Sequence, residues 1–140
     1  MKKLIKVIAI CISFILTSST LPMEVLAANE SEQIVQPMYI NITSYINSFN
    51  IDPDGQANVY TYVSSGTADK VAVVVFLEKY NNGYWSTINS WSDSRMDSYA
   101  YAIGHYYVVH GQYRIRSYCY TYINGAVTDY DSFISDVKTY

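Results

Sequence analysis

Cysteine is nearly absent from this chain: Cys11 and Cys119 are its only two. Cys11 falls in the N-terminal apolar run "VIAICISFIL", Val7 to Leu16. The rest of the chain therefore carries one thiol, which excludes an internal disulfide there. About 100 residues can hold together by burial alone, so none is required. Basic residues are also few. Once Lys2, Lys3, Lys6 and Glu24 leave with the N-terminal segment, nine basic and twelve acidic residues become six and eleven. Nucleic acid and anionic membrane both demand a basic surface, so neither is expected as a partner. Helical periodicity is missing, as are internal repeats. The longest apolar run is far short of the ~20 residues that span a bilayer, so no stable membrane span is expected after processing.

The segment 1–27 reads instead as an export signal. Lys2, Lys3 and Lys6 precede the apolar run, and "TSSTLPMEVLA" follows it with Val25 and Ala27 at the −3 and −1 positions. Cleavage after Ala27 or Ala28 predicts a secreted, extracellular chain. Residues 28–37, "ANESEQIVQP", are polar and aperiodic and read as a flexible leader.

From residue 38 to 140 the pattern changes to period two with tyrosines and β-branched residues, and strands follow one another. "MYINITSYI" sets Met38, Ile40, Ile42 and Ile46 against Tyr39, Asn41, Thr43 and Tyr45. "DPDG" (Asp52–Gly55) supplies turn chemistry before "ANVYTYV". "VAVVVFLEKY" (Val71–Tyr80) is apolar on both sides, as a central strand is, and "NNG" hairpins it onto "YWSTINSW". A polar crossover, "SDSRMDS", precedes "HYYVV" and "QYRIRSYCYTY", which meet at Gly111; Asn124–Gly125 then turns into "AVTDYDSFI". Seven strands with turns between them predict an antiparallel, all-β sandwich, with an up-and-down barrel as the alternative. The stretches "DKVAVVVFLEKYNNGYW" and "GQYRIRSYCYTYING" resemble the small secreted immunoglobulin-like and fibronectin-III-like proteins of Gram-positive bacteria, for which no activity is known. The resemblance implies a fold and an address, and it likens Tyr113 to the tyrosine at the start of strand F.

Candidate chemistry is sparse. Along "YRIRSYCYTY" the charged Arg114 and Arg116 belong outside, which turns Cys119 inward as packing; an intermolecular disulfide or a catalytic thiol would need the opposite facing. His105 and His110, five apart, fall on opposite faces of a strand and cannot share a metal. Asp52/Asp54 and Asp129/Asp131 are alternate carboxylates of the kind that hold calcium, without a full calcium-loop motif. No catalytic, cofactor or metal residues emerge, and an enzyme is not expected. Trp85 and Trp91, six apart, should share a face, inner or outer. The sixteen tyrosines all follow the leader. If Val71, Val73, Val75 and Leu77 face the core, then Val74 and Phe76 face out beside Tyr118, Tyr120 and Tyr122, edged by Arg114 and Arg116. A large apolar patch on a soluble domain marks an interface or a ligand site. The expectation is a secreted, non-catalytic binding module whose aromatic face meets a protein or a surface glycan. The alternative is a structural protein that pairs this face with itself as a homo-oligomer.

Overall fold

A computed structural model describes residues 39–140; the segments expected to be an export signal and a leader, and Met38, lie outside the described residues. Seven strands follow in order: β1 (Ile42–Ile51), β2 (Gln56–Ser65), β3 (Lys70–Asn81), β4 (Tyr84–Arg95), β5 (Tyr99–Tyr107), β6 (Gln112–Ile123) and β7 (Ala126–Ile134). A two-residue β8 (Lys138–Thr139) adds to the start of β6. They form two antiparallel sheets, β1-β2-β5 and β4-β3-β6-β7. The turns follow the residues that permit them: Asn82–Gly83 and Asn124–Gly125 all adopt positive φ, closing the β3–β4 and β6–β7 hairpins.

The sheets pack face to face by strict alternation. β2 contributes Ala57, Val59 and Val63, β3 contributes Val71, Val73, Val75 and Leu77, and β5 contributes Ala100 and Ala102. β6 adds Tyr113, Ile115 and Cys119. A polar chain crosses between the sheets inside this apolar layer. The Tyr45 hydroxyl lies 2.7 Å from Ser117 Oγ, and Ser117 Oγ and Thr61 Oγ1 both donate to Asn47 Oδ1. Satisfied in this way, buried Thr61 and Ser117 avoid the cost of unpaired hydroxyls.

Three β-bulges alter the alternation, and all lie in edge strands, where bulges also hinder edge-to-edge pairing. Thr43 in β1, Ile88 in β4 and Thr128 in β7 are each skipped in the register. The first puts Ile42 on the inner side but Ile46 outside, with Tyr45, Asn47 and Phe49 inward instead. The second corrects the expectation for the tryptophans. Trp85 pairs with Tyr80 on the outer registers, whereas Trp91 pairs with core residue Val75 and packs against the core. The extra residue turns an even offset into opposite faces. Gly104, on the inner side of β5, accommodates Trp91: a Cβ there would overlap the indole.

Two further expectations shift. β4 runs on to Arg95 and β5 starts at Tyr99, so the crossover is only three residues long. His110 lies in the loop after β5 and stacks on Tyr140 at 5.0 Å, so only His105 belongs to a strand. The residues after Ile134 do not lie over the tyrosine row: β8 pairs with β6, and the Tyr140 ring rests on Gly55.

Candidate functional site

The four-stranded sheet brings the sequence-predicted row together. Pairing of β3 with β6 sets Ala72 opposite Tyr120, Val74 opposite Tyr118 and Phe76 opposite Arg116. Tyr122 pairs with Lys70, whose Nζ lies 4.8 Å from the centre of its ring. Phe76 and Tyr118 meet edge to face at 6.2 Å. All these outward residues are half-buried, packed side against side, while the alternate residues fill the core. β7 extends the face: Tyr130 pairs with Tyr120 and is 66% exposed.

One residue on this face organises the rest and was overlooked by the sequence argument. Glu78 is only 2% exposed although it points outward. Its Oε2 accepts from Arg114 Nε at 2.7 Å, and its Oε1 pairs with Arg116 Nη2 at 2.6 Å. The Arg114 guanidinium lies 4.3 Å from the Trp85 ring, and that ring lies 5.2 Å from Tyr80. Arg116 sits between Phe76 and Tyr118, 5.9 Å from each ring centre. A carboxylate between two guanidiniums fixes both by charge-assisted hydrogen bonds, and the rings fix them from the sides. The signal was in the pattern: once Val74 and Phe76 face out, period two sends Glu78 out opposite the arginine row.

The remaining candidates resolve individually. Cys119 is fully buried, and burial pushes its thiol up to about 12, so it packs as a small apolar group. His105 Nδ1 contacts Asn58 Oδ1 at 2.7 Å. Asp52 takes hydrogen bonds from Asn50 and Asn58, and Asp54 from the Gln56 amide. Asp129 Oδ2 accepts from the Ile40 and Asn41 amides, which anchors the start of β1 to β7. Among the described residues no group of three or more His, Cys, Asp or Glu side chains is placed to hold a metal.

A second aromatic surface, on the outer side of the three-stranded sheet, was missed. Ile46, Tyr62 and Tyr101 align across its three strands, and Tyr60 pairs with Ile103. Ile46 and Ile103 are about half exposed, at 50% and 52%. The β1 bulge and the early start of β5 hid it, because neither was legible as such. A cleft of 210 Å³ also opens at one end of the sandwich, lined by Lys79, Ile88, Tyr106, Val108 and Tyr113 among others. It holds no pair of groups suited to acid–base or nucleophilic chemistry.

Compared with known proteins, the chain matches no family model, no curated protein and no solved structure.

Proposed function

We propose that this chain is a secreted, non-catalytic binding module of fibronectin-III-like or immunoglobulin-like type, and that the outer face of the β4-β3-β6-β7 sheet is its contact surface for a protein or a surface glycan. The sheet orders β1-β2-β5 and β4-β3-β6-β7 support the fold assignment. Tyr113 supports it too: it is buried, and its hydroxyl donates to the Val109 carbonyl at 2.6 Å, as a tyrosine corner does. The charged, apolar and small-residue order of residues 1–27 supports export. The observation that carries the binding reading is the Arg114–Glu78–Arg116 cluster set among Trp85, Phe76 and Tyr118. Tyr, Trp and Arg are the usual interface anchors, and here they are held in place before any partner arrives.

Size favours this face over the other. Four strands of up to twelve residues span about 700 Å² at ordinary strand spacings, close to the ~800 Å² per partner of a standard interface. The three-stranded face spans roughly 470 Å² by the same measure, too little for a stable contact alone. Charge weighs against the self-pairing alternative. Among the described residues the face carries Lys70, Arg114 and Arg116 against Glu78 alone, so two copies face to face would repel.

The test is Tyr118→Ser with Tyr120→Ser. Retention of the double variant on the producing cell's surface material should fall while its thermal transition persists, with about 1 kcal/mol or less lost per site. A folded double variant that binds as the parent does overturns the reading, and one that fails to fold would make these tyrosines structural.

A further inference from the structure

We infer that the partner of this face is an acidic polysaccharide, which lies along the strands on a terrace beside the tyrosine ridge. The inference rests on the binding reading above and specifies its ligand. It has two independent grounds, charge and relief.

The charge ground comes from where the carboxylates are. The protein is net acidic, −3 overall, yet among the described residues this face has three cations and one carboxylate. That carboxylate is buried and spent on Arg114 and Arg116. No aspartate shares the face. Asp93 and Asp131 pair with the buried residues Val73 and Cys119, and Asp129 with the buried Thr121. The other aspartates lie in the loops between strands. An acidic protein with one cationic face complements an anionic partner and disfavours a second copy of itself.

The relief ground comes from the register. Ala72 and Val74 of β3 pair with Ser94 and Ser92 of β4, so two neighbouring strands carry small outward residues there. The next strand carries Tyr118 and Tyr120 at the same levels. The result is a low terrace about two strand spacings (~10 Å) wide, walled on one side by rings. Lys70 stands near one end and Arg116, opposite Phe76, near the other; six residues separate Lys70 from Phe76, about 20 Å. A strip this narrow suits a single polymer chain better than a folded protein. Peptide chains commonly bind by pairing with a free strand edge, whereas the terrace lies on the face of the sheet, inward of the outer edge of β4. A sugar chain needs no such pairing. Its C–H faces pack on tyrosine rings, its hydroxyls meet the serine and tyrosine hydroxyls, and its carboxylates reach the cations at the two ends.

The test is direct binding by the purified protein to polygalacturonate and hyaluronate, with dextran as the neutral chain and poly-L-glutamate as the acidic peptide. At least one acidic glycan should bind, and raising NaCl from about 50 to about 300 mM should weaken it roughly tenfold. Arg116→Gln should weaken binding several-fold. Ser92→Tyr, which fills the terrace at an exposed strand position, should abolish it with the thermal transition kept. Equal binding of dextran would remove the charge ground, and equal binding of poly-L-glutamate would remove the glycan assignment. Ser92→Tyr binding as the parent does would remove the terrace. Failure of both acidic glycans at millimolar uronate overturns the inference outright. If Tyr118→Ser with Tyr120→Ser then still loses retention on cell-surface material, only the ligand is wrong; if it does not, the face itself is wrong.

Discussion

Replacing Glu78 by Gln probes the centre of the aromatic face with the smallest change of shape. The substitution keeps the volume and one acceptor but removes the charge that Arg114 and Arg116 both address. A hydrogen bond to a charged group contributes about 1.5–3 kcal/mol, and two are weakened. Breaking a fully buried ion pair costs about 3–5 kcal/mol. Here the loss is smaller, because the Arg114 and Arg116 side chains keep 22% and 38% of their surface and water can take over part of the lost partner. The expected destabilisation is therefore about 2–3 kcal/mol, between those limits. For a domain of this size that lowers the melting temperature by about 10–20 °C. Thermal unfolding by circular dichroism measures it. A double-mutant cycle with Arg114→Gln should return a positive coupling, because each single change strands the other group. A melting temperature within about 2 °C of the parent would show that the two arginines need no anchor, and the pre-organisation of the face would have to be abandoned.

Three other outcomes test the interior. Gly104→Ala should cost about 1–3 kcal/mol by forcing the Trp91 indole from its place; an unchanged urea midpoint would mean that the indole moves freely. Asn47→Ala should cost about 2 kcal/mol, since it deprives the hydroxyls of Thr61 and Ser117 of their shared acceptor; a smaller loss than for an exposed asparagine such as Asn81 would refute the bridging role. Cys119 should resist a bulky thiol reagent at pH 8 while the protein is folded. Its pKa is raised in the fold, so the folded state keeps a proton that the unfolded state gives up. Its contribution is therefore complete below about pH 8.5 and is lost as pH rises toward 12. Stability of the parent should fall through that window more steeply than that of Cys119→Ala.

The strands of the four-stranded sheet were legible because their alternation is unbroken where it matters. From Val71 to Leu77 and from Tyr113 to Tyr122 every second side chain is buried, and the ones between them face out. Burial and period two are then the same statement, and the facing of Cys119 follows from that of Arg114 and Arg116. The turns were legible for a different reason: Asn-Gly permits backbone angles that most residues avoid. Edge strands obey neither rule. A bulge inserts one residue without any change of composition, so nothing in "YWSTINSW" announces that Ile88 is unpaired and that Trp85 and Trp91 part company there. Ile46 illustrates the same failure in β1.

Glu78 and the terrace failed to appear for want of register rather than of pattern. Facing can be read along one strand, but the meeting of Glu78 with two arginines thirty-six residues or more away needs the pairing of β3 with β6. The terrace needs β4 as well. Serines at 90, 92 and 94 read alone as polar edge residues; set beside Ala72 and Val74, and one strand from the tyrosines, they become the floor of a surface feature. Folding accounts for the inward residues; the proposed contact is what would account for the outward ones on β3, β4 and β6, and the excess of Lys70, Arg114 and Arg116 over Glu78 is why the proposal names an anionic partner.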